Sequence, residues 1–356
     1  MRTAFLQYVL LTFFLLPLLS GAAPAGEAVL VDAAGKQPRI AVAADGAAYL
    51  VYGRGNQVVV RTARKPAAEF APASELGPVD GLMCGMRRGP QVAVTAAAVV
   101  VAAIGKAGDI QAWGSSDGGT TWGDPVTVND QASAAREGLF SIAASGARIW
   151  AVWIDLRSGK GEIYAAHTSD GGAHWSTNLV IYRSPDGRVC ECCQPTVAGL
   201  ADGGAVIMWR NALAGARDLY ACTVDAEGTV TTAPAKLGSG TWTLNACPMD
   251  GGGVSAVGTR YAAIWRRDAD LYLVTSAEPA KERALGPGRN AAIAAAGGKL
   301  LQAWQRDADI VLARDGAKPT VIGQGSYPVV AAAVGGAPAL VAWEAPDGVR
   351  ILRLAP

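Results

Sequence analysis

The chain has 356 residues, and its 31 lysines and arginines nearly balance 30 aspartates and glutamates, so the formal net charge is +1. This balance excludes the basic excess that is typical of a nucleic-acid-binding protein. Hydrophobic residues make up 51% of the chain, which excludes an intrinsically disordered protein. The 44 glycines indicate many turns and, together with ten tryptophans, favour short strands over long helices.

The N-terminus has the pattern of an export signal. Arg2 precedes an uncharged apolar stretch, residues 4–19, and small residues follow at positions 20–23. The stretch is shorter than the roughly 20 residues that a membrane-spanning helix needs. We therefore predict a signal peptide at residues 1–25, with a retained anchor as the alternative, and no membrane span in the mature chain. The expected location is periplasmic or secreted.

One pattern recurs through the rest of the chain: a β-like run, a turn with glycine or aspartate, and a second β-like run. The first copy reads PRIAVAADGAAYLVY at residues 38–52, and the others occupy residues 90–104, 139–153, 195–209, 252–265, 291–304 and 328–343. Successive copies begin 37 to 57 residues apart, which is typical of propeller or solenoid repeats. A third and usually a fourth run follow each copy, and four strands make one propeller blade.

These repeats predict an all-β fold, a seven-bladed β-propeller with four-stranded antiparallel blades, as a single domain over residues 26–356. The last copy supplies only a third strand, GVRILRLA at residues 348–355. A surplus strand, AVLVD at residues 28–32, precedes the first blade and can complete the last one. That pairing closes the ring and removes an exposed sheet edge. Six blades are the alternative, because the two C-terminal copies are compact.

Two turns between third and fourth strands follow the pattern S/T-x-D-x-G-x-x-W. They read SSDGGTTW at residues 115–122 and TSDGGAHW at residues 168–175, with defining residues Asp117, Gly119, Trp122, Asp170, Gly172 and Trp175. These turns resemble the Asp-box, or BNR repeat, of the sialidase-like propeller superfamily. The resemblance extends over nearly all of the mature chain and implies a structural role for each aspartate, which accepts hydrogen bonds from its own turn. We expect a member of this superfamily that is not a sialidase.

The residues that sialidases use are poorly matched. Sialidases of this superfamily need three arginines for the substrate carboxylate, an aspartate acid/base, and a tyrosine nucleophile paired with a glutamate. The nearest match to their Arg-Ile-Pro signature is Arg39-Ile40-Ala41, and no tyrosine–glutamate pair can be assigned. If the protein is a glycan-directed enzyme, its candidate catalytic residues are Arg39, Asp155, Arg210, Arg267 and Asp268.

Five of the six cysteines precede inner strands and are therefore expected on one face of the ring. We call this the upper face; it carries the loops between second and third strands and the loops to the next blade. The five cysteines are Cys84 before blade 2, Cys190, Cys192 and Cys193 before blade 4, and Cys247 before blade 5. The sixth, Cys222, is expected near the opposite, lower face.

Three interpretations of these thiols stay open. One is two disulfides and a free thiol, which is common in exported proteins. Another is a metal site for copper, with zinc second, because thiolate and thioether ligands favour Cu(I). The third is thiol–disulfide exchange. The predicted metal ligands are Cys84, Cys192, Cys193 and Cys247, with Cys190, Met83, Met86 and Met249 as alternates.

The upper face also presents arginine and aspartate side chains, which suit a glycan or another small anion, or serve to bridge neighbouring blades. Both histidines, His167 and His174, are expected on the lower face, so the channel mouth lacks a histidine base. We therefore predict an exported binding propeller with a soft metal as its first candidate ligand. A sialidase-like glycoside hydrolase is the alternative, and a protein-interaction scaffold is the second alternative. Nucleic acid is not an expected partner.

Overall fold

The computed structural model describes residues 26–66, 68–314 and 317–354. The predicted signal peptide, residues 1–25, lies outside the described residues. The described chain forms seven four-stranded antiparallel sheets arranged as a ring, so the prediction of a seven-bladed propeller is confirmed and the six-bladed alternative is wrong. No helix in the described part of the chain is long and apolar enough to cross a membrane.

The strands follow one another in chain order from the inside of each blade outwards, with β1 (Val29–Asp32) placed before the first blade. Blades 1 and 2 contain β2 (Lys36–Val42), β3 (Ala48–Arg54), β4 (Gln57–Ala63), β5 (Ser74–Pro78), β6 (Gln91–Val94), β7 (Val99–Ile104), β8 (Ile110–Ser115) and β9 (Val126–Thr127). Blades 3 and 4 contain β10 (Phe140–Ser145), β11 (Arg148–Asp155), β12 (Glu162–Thr168), β13 (Leu179–Tyr182), β14 (Thr196–Gly199), β15 (Ala205–Arg210), β16 (Leu219–Val224) and β17 (Val230–Lys236). Blades 5 to 7 contain β18 (Gly253–Val257), β19 (Arg260–Arg267), β20 (Asp270–Thr275), β21 (Arg283–Pro287), β22 (Arg289–Ala296), β23 (Lys299–Arg306), β24 (Asp309–Arg314), β25 (Thr320–Gln324), β26 (Ser326–Ala331), β27 (Leu340–Ala345) and β28 (Gly348–Arg353).

Ring closure pairs a strand from near the start of the described chain with one from its end. Strand β1 pairs antiparallel with β28, and Val29 lies opposite Ile351. Blade 7 therefore takes its outer strand from before blade 1, as the sequence predicted, and its edge is covered. The seven inner strands contact one another in succession, including β26 with β2, around a central channel.

The hydrophobic core consists of seven clusters, and each cluster is shared by two adjacent blades. Every sheet buries both of its faces against its neighbours, which explains why the strands are apolar runs rather than strict alternations. Buried aromatic residues near the ends of second strands, such as Trp153 and Trp209, fill the space between blades. The loops of the two faces are left to carry most of the polar residues.

The first motif turn joins β8 to β9 on the lower face. The Asp117 carboxylate accepts backbone N–H groups of Thr120 and Thr121, both at 2.9 Å, and the hydroxyl of Ser115 at 2.8 Å. These hydrogen bonds, led by that from Thr121, hold the pKa of Asp117 well below its usual range. Gly119 has φ of +79°, a conformation that glycine adopts at no steric cost. The carboxylate thus stabilises its own turn.

The second motif turn joins β12 to β13 and is built in the same way. Asp170 accepts the N–H of His174 at 3.0 Å and the hydroxyl of Thr168 at 2.8 Å. The tryptophans of the two motifs pack inwards, Trp122 against the core of blades 1 and 2 and Trp175 against that of blades 2 and 3. Both turns therefore fix the outer strand of a blade from the lower face.

Candidate functional site

The cysteine loop, residues 183–195, joins the outer strand of blade 3 to the inner strand of blade 4 on the upper face. Its second half is fixed to blade 4, because the N–H of Cys190 donates to the carbonyl of Arg210 at 3.0 Å. The Glu191 carboxylate turns back to blade 3 and accepts the N–H of Gly161 at 2.7 Å. The N–H of Cys193 donates to the Cys190 carbonyl at 3.3 Å and closes a turn. Three thiols are brought together as a result.

These three thiols, of Cys190, Cys192 and Cys193, form what we call the thiol cluster. Their Sγ atoms all lie within 4.8 Å of one another. Cys190 Sγ is 3.6 Å from Cys192 Sγ and 3.7 Å from Cys193 Sγ, and all six cysteines are free thiols. A tetrahedral metal bound to sulfur at about 2.3 Å separates its ligands by about 3.8 Å. The spacing of the cluster is therefore suited to one shared metal ion.

A fourth cysteine reaches the cluster from the next blade. Cys247 lies in the loop between β17 and β18, close enough to Cys192 to raise the pKa of that thiol. Cys247 is exposed and Cys192 half-buried, whereas Cys190 is 5% and Cys193 only 1% exposed. The four thiols thus extend from the solvent into the interior of the ring.

The environment of the cluster keeps its inner thiols protonated at neutral pH. Hydrogen bonding to Cys192 raises the pKa of Cys190 to about 12, and burial raises the pKa of Cys193 to about 12. The positive charge of Arg210 acts in the opposite direction on the pKa of both thiols. Because a metal must displace these thiol protons, metal affinity at this cluster would rise with pH.

Cys84 lies apart from the thiol cluster, beside blade 1 on the upper face. Its Sγ is 3.7 Å from the carbonyl oxygen of Lys36 and packs against Gly53, and burial raises its pKa to about 11. Of the four cysteines predicted as first ligands, the structure groups Cys192 and Cys193 with the alternate Cys190, whereas Cys247 lies nearby and Cys84 lies apart.

The three methionines predicted as alternate ligands have different surroundings. Met83 packs against the core of blades 2 and 3, and Met86 is 50% exposed. Met249 follows Cys247 by two positions and is half-buried, with φ of +55°. Of the three methionines, Met249 is therefore the nearest to Cys247 in the sequence.

Arginine side chains cross the channel mouth beside the thiol cluster. Arg39, on β2, donates from Nη2 to Oε1 of Gln194 at 3.3 Å and from Nε to Oε1 of Gln91 at 3.1 Å. Arg87 donates to the same Gln194 oxygen at 3.2 Å and to the carbonyl of Gly252 at 3.0 Å. Gln194 directly follows the thiol cluster in the chain, so the cysteine loop also orients both arginines.

Arg39 and Arg87 donate only to amide and carbonyl oxygens among the described residues. Burial, together with the charge of Arg87, lowers the pKa of Arg39 to about 9, so its guanidinium stays protonated at neutral pH. Burial lowers the pKa of Arg87, and the buried carboxylate of Asp250 opposes this change, but that carboxylate accepts the N–H groups of Gly252 and Asn290. Two positive charges therefore stand at the channel mouth without a carboxylate in hydrogen-bond contact.

Two candidate catalytic residues are occupied by structural contacts. Arg210 is 1% exposed and donates to the backbone carbonyls of Asp250, Arg217 and Arg266, which ties blade 4 to blade 5. Asp155 is fully buried and accepts hydrogen bonds from Nε1 of Trp153 and from Arg157. The polar atoms of both side chains are thus engaged by protein partners.

The remaining candidates lie on blade 5. Arg267 forms an ion pair with Glu282 at 2.6 Å and stacks over the ring of Tyr272 at 3.9 Å, and that ion pair raises its pKa. Asp268 is exposed in the turn between β19 and β20, with φ of +53°. Sequence reasoning missed Gln194 as the shared acceptor of two arginines. Its position between the cysteines and Pro195, where an inner strand begins, is the signal that could have identified it.

No family model matches the sequence, and no curated protein is detectably similar to it. Among solved structures, the chain is similar to virginiamycin B lyase from Staphylococcus aureus, with 13% identity and a TM-score of 0.55 over 91% of this chain and 96% of that one. YCF48 from Cyanidioschyzon merolae aligns with 14% identity and a TM-score of 0.52 over 93% and 99%. The Aleuria aurantia lectin aligns with 10% identity and a TM-score of 0.50 over 83% and 96%. At such identities the similarity establishes the fold, a β-propeller, and no activity.

Proposed function

We propose that this protein is a soft-metal-binding propeller and that its thiol cluster holds the metal. The observation that carries this proposal is the convergence of three Sγ atoms within 4.8 Å from one four-residue segment. Thiolate sulfur prefers Cu(I), with Zn(II) second, so copper is the first candidate. The chain residues that would hold it are Cys190, Cys192 and Cys193.

The charges around the cluster support the same proposal. Three thiolates on Cu(I) carry a net charge of −2, which is costly to bury without nearby cations. Arg210 acts electrostatically on Cys190 and Cys193, and Arg87 on Cys193. These guanidinium groups are held in place by backbone carbonyls, so they would compensate the charge of a metal-bound cluster without moving.

The test is Cu(I) binding to the mature protein under anaerobic conditions, in competition with a chromogenic Cu(I) chelator. We expect one tightly bound Cu(I) per chain and a loss of affinity of at least about 100-fold when Cys190 and Cys193 are both replaced by serine. The proposal would be refuted if the parent protein bound neither Cu(I) nor Zn(II). Unchanged affinity in the double variant would refute the site.

Cys222→Ser is the matched control for this experiment. Cys222 lies on β16 opposite Ile207, in the core shared by blades 3 and 4, and is 2% exposed. Burial raises its pKa to about 12, as for Cys193. Its replacement therefore removes a buried thiol of the same kind without touching the cluster, and we expect Cu(I) affinity to be unchanged.

A second candidate function is recognition of an anionic glycan at the channel mouth. One observation favours it: Arg39 and Arg87 have no carboxylate in hydrogen-bond contact among the described residues. A separate groove of about 630 Å³ on the same face includes Lys36, Gln305, Asp307 and Glu344 in its lining, but neither arginine. A volume of this size fits a small ligand. Titration with uronic-acid and sialic-acid oligosaccharides tests it. We expect the parent protein to bind an acidic glycan but not a neutral one, and Arg39→Gln to abolish that binding. Failure of every acidic glycan to bind would exclude this candidate.

We also propose that the chain is a sialidase-like propeller and is exported. Support for the first comes from Asp117 and Asp170, whose carboxylates organise equivalent turns in two successive blades. Ala41, where the family signature has proline, favours a member without sialidase activity. Export rests on the sequence of residues 1–25 alone, and N-terminal sequencing of the protein isolated from its native compartment would test it.

A further inference from the structure

The four thiols of blades 4 and 5 differ in exposure in an ordered way. Cys247 is exposed, Cys192 is half-buried, and Cys190 and Cys193 are buried. Cys190 Sγ is 3.6 Å from Cys192 Sγ and 3.7 Å from Cys193 Sγ, and Cys247 lies close enough to Cys192 to raise the pKa of that thiol. A metal ion at the surface can therefore reach the buried thiols by short exchanges between neighbouring sulfur atoms.

We infer that Cys247 and Cys192 capture the metal at the surface and pass it to Cys190 and Cys193, so that the four thiols form a relay. This inference rests on the proposed soft-metal function. The metal it takes is Cu(I) bound to a small thiol donor, since exchange between thiolates requires no oxidant or reductant. Cys247 is an exchange ligand in this scheme, whereas Cys190 and Cys193 are permanent ligands.

The exchange steps balance without electron transfer. In the first, a Cu–S bond to the donor thiol breaks as one forms to Cys247, and the Cys247 proton moves to the released donor thiolate. In the next, Cys192 binds the metal and releases its proton to solvent. Finally Cys190 and Cys193 bind and release their two protons, one to the Cys247 thiolate as its Cu–S bond breaks and one to solvent. Copper remains Cu(I) throughout.

One residue, Arg210, connects the two loops that carry the thiols of the relay. The backbone carbonyl of Arg210 accepts the N–H of Cys190. The side-chain Nε of Arg210 donates to the carbonyl of Asp250 at 2.9 Å, and Asp250 lies three residues after Cys247. The cysteine loop and the Cys247 loop therefore share an anchor on β15. This connection keeps the exposed thiol near the cluster although Cys193 and Cys247 are 54 positions apart in the sequence.

The relay predicts a separation of rate from affinity. In Cys247→Ser, we expect uptake of Cu(I) from its glutathione complex to slow by at least about 10-fold while the equilibrium affinity stays within about 3-fold of the parent. In Cys190→Ser with Cys193→Ser, we expect fast uptake but an affinity at least about 100-fold lower. Cys84→Ser, which removes an upper-face thiol outside the cluster, should change neither value.

Stopped-flow transfer from Cu(I)–glutathione gives the rate, and chelator competition gives the affinity. Equal uptake rates in the parent and Cys247→Ser would overturn the relay while leaving the proposed metal site intact. A 100-fold affinity loss in Cys247→Ser would also overturn it, because Cys247 would then be a permanent ligand. Absence of both Cu(I) and Zn(II) binding in the parent protein would refute the proposed function itself, so the two failures are distinguishable.

Discussion

The two faces of the ring use polar residues in opposite ways. On the lower face, the Asp117 carboxylate bonds to groups within four residues of itself. On the upper face, Arg39 reaches a residue 155 positions away, and Arg87 one 165 positions away. The Asp117 carboxylate therefore stabilises its own turn, whereas Arg39 and Arg87 take their positions only when distant blades have come together.

This difference shows where function can be built on a propeller. A turn that satisfies its own carboxylate stabilises one blade and offers little to a ligand. The thiol cluster and the arginines at the channel mouth come from different blades, so they can surround a ligand placed between them. The upper face is thus the region to test for binding, and the lower face serves as its structural reference.

The strongest test of this comparison is Arg210→Met, which removes a long-range contact of the upper face. Three buried carbonyls, of Asp250, Arg217 and Arg266, would lose their donor. At about 1 kcal/mol for each hydrogen bond, we expect the free energy of unfolding to fall by about 3 kcal/mol. Urea denaturation followed by tryptophan fluorescence measures it. Arg266→Met is the control, since the Arg266 side chain bonds to Asp268 of its own turn, and an equal loss there would contradict the comparison.

A smaller effect is expected where two lower-face turns meet. Gly114 packs so closely on the carbonyl oxygen of Gly171 in the next blade that a Cβ at this position would overlap with it. Gly114→Ala must therefore push a backbone segment aside, which costs about 2 kcal/mol. Gly146→Ala is a useful comparison, because Gly146 has open space around it and only its φ of +59° opposes the change. If Gly114→Ala is no less stable than the parent protein, the two turns do not pack as described.

The third effect is a pH-dependent contribution of Asp170 to the stability of the fold. Partial burial raises the pKa of Asp170, but hydrogen bonds from the backbone and ring of His174 and from Thr168 outweigh it and bring the pKa to about 2. A carboxyl with a lowered folded-state pKa stabilises the fold above its unfolded pKa, and this contribution is lost as pH falls through about 2. Because Asp170 is largely exposed, we expect Asp170→Asn to cost about 1 kcal/mol at pH 7.

Urea denaturation at pH 7, 4 and 2 tests this expectation for Asp170→Asn. The stability difference from the parent protein should be present at pH 7 and should shrink between pH 4 and pH 2, since the parent carboxyl then becomes protonated. Asp268→Asn, at an exposed turn of blade 5, is the control substitution. A difference for Asp170→Asn that is constant across this range would contradict the proposed role of the charge.

The contrast between the faces also explains what the sequence could predict. The blade number and the ring closure follow from periodic strands, and the motif turns follow from residues that contact near neighbours. The sequence assigned Cys84 and Cys192 to the same face, but a shared face does not fix their distance around the ring. The roles of Arg210 and Asp155 were not predictable from the sequence. A sequence does not distinguish a buried polar residue that has several protein partners from an exposed polar residue that has none.

The smallest perturbation is chemical labelling of the metal-free protein, which changes no residue. Iodoacetamide reacts with thiolates, so we expect Cys247 to be labelled first at pH 8, Cys192 next, and Cys190 and Cys193 at least about 10-fold more slowly than Cys247. Peptide mass spectrometry resolves the order, and equal rates at Cys193 and Cys247 would contradict the described burial. Cys222 supplies the reference for a thiol in the blade core, with a pKa raised to about 12 as in Cys193. Since loops open with less free energy than core strands, Cys193 should still react faster than Cys222, which would locate the mobile part of the site in the upper-face loops.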